Sequence, residues 1–170
     1  MTENRKGGMT MAIELVRIDD RLIHGQVVVT WSNNLSIEQI IIVDDNVAND
    51  EILKAGIQMT APTNISVKVF AVNRFIELIQ TTPIKKRTMI ILTGVKDALA
   101  LYKGGLTFEM LNVGGIRGKE ESIRFTNAVA LKADEIEMLK ELMNNGVDIQ
   151  LQMIPADTKY LFKDLLKEKV

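Results

Sequence analysis

The stretch Ile37-Glu38-Gln39-Ile40-Ile41-Ile42-Val43 ends in four consecutive β-branched apolar residues. It is too short for a buried helix and too uniformly apolar for a strand with one wet face, which is how a strand covered on both faces of a parallel sheet reads. Runs of the same character are Ala12 to Ile18, Ile65 to Val72, Thr88 to Leu92, Phe108 to Val113 and Val147 to Ile154. Between them lie amphipathic stretches long enough for right-handed crossovers: Gly25 to Asn33, Asp50 to Thr60, Arg74 to Gln80, Lys96 to Lys103, Asp134 to Asn144 and Thr158 to Lys167. Strand followed by helix, repeated, predicts an α/β fold: an open, mostly parallel, doubly wound (Rossmann-like) sheet with helices on both faces. The units are too few for the eight of a barrel. Ser122 to Leu131 keeps no single period and is read as one short antiparallel edge strand. Asn144, Asn145 and Gly146 supply a helix stop, and Pro155 with Asp157 a strand end and a cap for the last helix.

With 170 residues, 46% hydrophobic and 25% charged, one domain is expected over residues 11–170, preceded in 1–10 by a flexible polar leader or an expression remnant. Lys and Arg number 21 against 22 for Asp and Glu, so the bulk charge favours neither nucleic acid nor an anionic membrane, and any anion site must be local. The absence of cysteine excludes disulfides, thiolate metal sites and a cysteine nucleophile, and fits a reducing compartment; a cytoplasmic location is the expectation. No apolar run approaches the ~18 residues of a membrane span.

Histidine occurs once, in Arg17-Ile18-Asp19-Asp20-Arg21-Leu22-Ile23-His24-Gly25-Gln26-Val27. This segment covers the end of the first strand, a charged loop and the start of the first helix. In open α/β sheets that is where ligands bind, beyond the carboxyl ends of the strands. A neutral imidazole is a nucleophile able to take up a phosphoryl group and carry it. Arg17 and Arg21 flank His24 as donors to phosphate oxygens, and the helix opening at Gly25 would direct the backbone N–H groups of Gly25, Gln26 and Val27 toward the same anion. Asp19 or Asp20 fits the task of holding an arginine or orienting the ring. The blander reading of the same residues is a solvated ion-pair network, with Leu22 and Ile23 stapling the loop to the core.

The segment from Ile13 through Arg17, Asp19, Arg21 and His24 to Val27 resembles the phosphorylation-site segment of the IIB component of the bacterial phosphotransferase system, mannose/fructose/sorbose family. Val43-Asp44-Asp45 with Ala48-Asn49-Asp50, Asn112-Val113-Gly114-Gly115 and Gln152-Met153-Ile154-Pro155-Ala156-Asp157 extend the likeness to most of the chain. The resemblance implies a protein-phosphohistidine sugar phosphotransferase. His24 would accept the phosphoryl group on Nδ1 from a IIA phosphocarrier and pass it to a sugar held by membrane IIC and IID components, which are the sugar's direct contacts. Arg21 and Arg17 match the family's phosphate-binding arginines, and Asp19 its acidic loop residue. A cytoplasmic protein associated peripherally with the IIC/IID complex follows, with no nucleic-acid partner, room for a homodimer, and neither cofactor nor metal. The alternative is a Rossmann-like binding or regulatory module that holds a phosphorylated small molecule non-covalently.

Other motifs carry less. Gly114-Gly115-Ile116-Arg117-Gly118-Lys119 is one residue short of the Walker spacing, with Glu120 where Ser or Thr would bind magnesium, and reads as a strand-end turn. Asp44, Asp45 and Asp50 read as a loop and helix cap in preference to a metal site. Lys85, Lys86 and Arg87 read as a solvated lead-in to a strand. Met59, Met89, Met110, Met138 and Met153 read as core filler, and Trp31 as core.

Overall fold

The computed structural model describes residues 4–6 and 9–169. In chain order the elements are β1 (Asn4–Lys6), β2 (Met9–Asp19), α1 (Gly25–Leu35), β3 (Gln39–Val43), α2 (Asp45–Ala48), α3 (Glu51–Met59), β4 (Ser66–Phe70), α4 (Val72–Thr81) and β5 (Ile84–Leu92). They continue with α5 (Val95–Lys103), β6 (Met110–Gly115), β7 (Ile123–Arg124), β8 (Ala130–Leu131), α6 (Ala133–Asn144), β9 (Asp148–Leu151), β10 (Tyr160–Leu161) and α7 (Phe162–Lys169).

The main sheet runs β10-β9-β6-β2-β5-β3-β4, with β1 paired to β2. From β9 to β4 every pairing is parallel, while β10 on β9 and β1 on β2 are antiparallel. Alternation along each strand splits the core in two. Ile40, Ile42, Met89 and Ile91 face Val27, Val28 and Trp31 of α1 and Ile57 of α3. Ile41, Val43, Ile90 and Leu92 face Phe75, Ile79, Leu101, Leu139 and Phe162 from α4, α5, α6 and α7. The doubly wound sheet with helices on both faces is therefore the one the apolar runs require.

Several boundaries differ from the expectation, each for a local reason. Ser122 to Leu131 closes on itself instead of edging the sheet: Phe125 N–H donates to the Val129 carbonyl, and Thr126 Oγ1 accepts from the Ala128 and Val129 amides. The resulting β7–β8 ribbon is separate, and the antiparallel edge strand is Tyr160–Leu161. Tyr160 and Leu161 are thereby withdrawn from the last helix, which begins at Phe162, and Asp157 closes a turn by accepting from Ile154 N–H at 3.3 Å, with no role as its cap. In the stretch read as a leader, Asn4–Lys6 pairs with Met9–Met11, and β2 starts at Met9. Lys85 to Arg87 lie inside β5, where Arg87 donates to the Leu35 and Ser36 carbonyls at the C-terminal end of α1 and pairs with Glu14 at 3.1 Å. Met59 is 86% exposed, not core filler, whereas Met89 is fully buried.

Asp44 caps α2 by accepting from Val47 N–H at 2.8 Å, Asp50 caps α3, and Asp45 accepts from Val72 N–H at 2.9 Å. These carboxylates are thus spent on backbone donors at helix starts, as their sequence position implied.

The order of strands also fixes where a crevice opens. The chain leaves β2 through α1 toward β3 on one side, and leaves β6 toward β9 on the other. Connections diverging from adjacent strands separate at their carboxyl ends, and β2 and β6 are such a pair.

Candidate functional site

At this divergence β2 ends in Arg17, Ile18 and Asp19, and the side chains of Leu15, Arg17 and Asp19 alternate toward the α1 face of the sheet. A tight turn follows, closed by Leu22 N–H donating to the Asp19 carbonyl at 3.0 Å, with Leu22 in the left-handed region at φ 60°. A branched-chain residue there is strained by crowding of its side chain, so the surrounding contacts must hold it. Ile23 supplies one such hold: it is buried in the same cluster as Val28, at the positions before and after the helix start where a hydrophobic staple forms. His24 is the N-cap of α1, and no side chain caps the helix. The first-turn N–H groups of exposed Gly25 and Gln26 and of Val27 therefore open toward the loop.

Asp19 is the hub. Its side chain is fully buried and receives Arg17 Nη2 at 2.8 Å, Arg21 Nε at 3.1 Å, Arg21 Nη2 at 3.3 Å and the Arg21 amide at 3.1 Å. Burial pushes this carboxyl up, but hydrogen bonds from Arg21 and the charges of Arg17 and Arg21 outweigh it and hold Asp19 below the usual carboxylate range. An ionised carboxylate can only accept. His24 Nε2 lies 3.3 Å from Asp19 Oδ2, so in the neutral ring Nε2 carries the hydrogen and Nδ1 the lone pair. The imidazole is 30% exposed and the Arg21 side chain 35% exposed, which leaves both open to an incoming group.

Arg17, expected as a second donor to phosphate, lies beneath the site instead. It is 2% exposed and donates to Asn112 Oδ1, to the Gln152 carbonyl at 3.3 Å and to Asp19, with its Cζ 5.7 Å from the Trp31 ring centroid. Burial draws its guanidinium below the ordinary arginine value, with Asp19 opposing that shift. Between the two acids left open by the sequence, geometry assigns the ring to Asp19. Asp20 turns away and accepts from Arg117 N–H at 2.7 Å.

The glycine pair at the end of β6 borders the same crevice. The pairing of β2 with β6 steps from Ile18↔Val113 to Asp19↔Gly115, so Gly114 is an extra residue bulged into the ladder. A Cβ at Gly114 would stand 2.1 Å from Arg17 Cζ; only the absence of a side chain admits the guanidinium. Sequence reading missed Asn112, Gly114 and Gln152 as members of this network. A polar residue inside the apolar strand Leu111 to Val113 was the available signal for Asn112, whereas Gln152 contributes a main-chain carbonyl that leaves no mark on residue type. Trp31 is core, as expected, and its Nε1 donates to the Met153 carbonyl at 2.8 Å, tying α1 to the chain beyond β9.

Among the described residues no cluster of His, Asp and Glu could hold a metal ion, and no helix is long and apolar enough to cross a membrane.

Comparison with known proteins gives a consistent result. The family model described as the PTS system sorbose subfamily IIB component matches residues 13–170. The sorbose-specific EIIB component of Lacticaseibacillus casei is 34% identical over 148 residues, covering 86% of this chain and 90% of that protein. The mannose-specific EIIAB component of Escherichia coli K12 is 32% identical over 93% of this chain, which spans only 49% of that longer relative. Among solved structures, the IIBSor domain of the sorbose permease from Klebsiella pneumoniae superposes with a TM-score of 0.87 at 31% identity, covering 94% of this chain and 99% of that one.

Proposed function

The chain belongs to the sorbose subfamily of IIB components of the phosphotransferase system, and from that premise we propose that it is a phosphocarrier whose covalent acceptor is Nδ1 of His24. The observation that carries this reading is the Asp19–His24 contact of 3.3 Å, which engages Nε2 and leaves Nδ1 as the nucleophile. The donor is the phosphohistidine of a IIA protein. Its P–N bond breaks as a new P–N bond forms to Nδ1, and the donor imidazole leaves with the electron pair. In the second transfer that P–N bond breaks, a P–O bond forms to a sugar hydroxyl, and the hydroxyl proton is released.

Charge spread over the transferring group calls for fixed donors more than for covalent help. Arg21 fills that role with the outer edge of its guanidinium, and the uncapped N–H groups of Gly25, Gln26 and Val27 supply the rest. Arg17 and Asp19 hold the ring and Arg21 in place. Residues 11–170 act as the IIB unit, working in the cytoplasm against membrane IIC and IID components that hold the sugar.

The test is intact-mass analysis after incubation with phosphoenolpyruvate, the general phosphocarriers and a IIA protein. One acid-labile phosphate is expected on the parent and none on His24→Gln, as the sequence holds no other histidine. A labelled His24→Gln protein, or an unlabelled parent, overturns the reading.

A further inference from the structure

Arg17 lies too deep to touch a phosphoryl group, yet its surroundings are built around it. Asn112 is 1% exposed and both ends of its amide are used: Oδ1 accepts from Arg17 Nη1, and Nδ2 donates to the Gln152 carbonyl at 3.0 Å. That same carbonyl accepts from Arg17 Nη1, so the guanidinium is gripped by a side chain and by the main chain that the side chain positions. Gly114 leaves the space in which the group lies. An amide buried in a strand between Leu111 and Val113 costs free energy unless it is bonded, and an apolar residue of like volume would fill the place without that cost. What the amide adds is direction. With Nη1 pinned, Nη2 meets Asp19 Oδ2, the oxygen that also faces His24 Nε2.

We propose that Asn112 is a positioning residue for phosphoryl acceptance by His24, acting through Arg17 and Asp19, with Gly114 supplying the clearance that the relay needs. This rests on the reading of His24 as the acceptor. Loss of the Asn112 acceptor leaves Arg17 Nη1 with the Gln152 carbonyl alone, so Nη2 is aimed less firmly at Asp19 Oδ2, which Arg21 still holds from the other side. The ring is then kept less strictly in one tautomer and one pose.

The experiment uses the full chain. Because histidine occurs once, ¹⁵N labelling of histidine gives one pair of ring signals, whose shifts in alkaline solution report the tautomer directly. Phosphoramidate, a small phosphoryl donor that needs no docking partner, measures the reactivity of the ring. In Asn112→Leu the ring is expected to pass from one dominant Nε2–H tautomer to a mixture and to react more slowly by about tenfold, part of the roughly hundredfold that a 1 Å misplacement of reacting atoms can cost. Gly114→Ala, which displaces Arg17 from the other side, is expected to act in the same direction, and Asn112→Ser, which keeps a shorter acceptor, to lie between. A folded Asn112→Leu with parental ring shifts and parental reactivity overturns the proposal, as do changed shifts without a slower reaction. A merely structural asparagine would lower the melting temperature and move neither readout. Should the leucine variant not fold, Asn112→Ser decides by the same two readouts. If the parent itself takes no phosphate on His24, the acceptor reading fails, and the ring shifts still decide whether Asn112 positions the imidazole.

Discussion

The carboxylate of Asp19 lies 3.3 Å from Nε2 of His24 and holds the ring by one nitrogen while the other has no hydrogen-bond partner among the described residues. The same oxygen is 2.8 Å from Arg17 Nη2, so the charge that orients the ring is itself oriented from below. A buried carboxylate between two guanidinium groups resists both protonation and rotation, and several consequences can be measured.

Removing the charge of Asp19 leaves Arg17 buried without its counter-ion. Asp19→Asn is expected to lose about 3 kcal/mol of stability, as for one partner deleted from a buried pair. The pH dependence follows from the sign of the shift: the folded carboxyl is held below its ordinary value, so its contribution is present above the unfolded value of ~3.9 and lost as pH falls through the lower folded one. Denaturant midpoints measured from neutral pH down to about pH 2 should show that acid loss in the parent and a smaller one in the variant.

Arg21 is the exposed member of the pair and the one placed to meet an anion. Arg21→Ala should slow phosphoryl transfer from a IIA protein by about a hundredfold, the loss of one charge-assisted donor at the transition state. Arg21→Lys should recover only part of it, because an ammonium cannot span both Asp19 oxygens and an incoming group as a planar fork does. Rapid-quench single-turnover kinetics with a phosphorylated IIA protein measures both variants. Transfer at the parental rate in Arg21→Ala would assign the clamp to the helix N-terminus or to the partner.

A different acid is set the opposite way. Burial pushes the Asp97 carboxyl up, and the nearby charges of Asp44 and Asp45 push it further, with Lys96 opposing. A raised folded value means that stability is fully present below the ordinary carboxylate range and is lost as pH rises through the folded value. Asp97→Asn should therefore match the parent in acid and exceed it at neutral pH, by less than about 1 kcal/mol because the group is partly solvated. Equal stability of the two proteins at neutral pH would show that solvent already screens the cluster.

Trp31→Phe keeps most of the apolar bulk but deletes the donor to the Met153 carbonyl. The expected cost is about 1–2 kcal/mol, from the hydrogen bond and the carbonyl left unpaired. Hydrogen exchange should quicken in the segment after β9, whose tie to α1 has been cut, and unchanged protection there would mean that packing alone holds it.

Much of this protein follows from the order of its residues. Apolar runs such as Ile40 to Val43 can be satisfied only by burial on both faces, so the parallel sheet and its helical cover are properties of the sequence. A lone histidine after a strand and before a helix likewise marks a loop at the carboxyl edge of that sheet, and the capping roles of Asp44 and Asp50 are local hydrogen-bond chemistry. Tertiary structure decided the rest, because it concerns contacts between residues far apart in the chain. Arg17 and Arg21 look alike in sequence, yet one is sealed under the site by Asn112 of β6 and by Gln152, the residue after β9, while the other reaches solvent. Asp19 is the last residue of β2 and Asp20 the first of the turn that follows, and the backbone sends their carboxylates to different partners, Asp19 to His24 and Asp20 to the Arg117 amide. The fate of Ser122 to Leu131 and of Tyr160 and Leu161 turned on which free edge each could reach. Patterning within a segment fixes what must be buried; only the packing of distant segments fixes which charged group is buried with it and which is left to react.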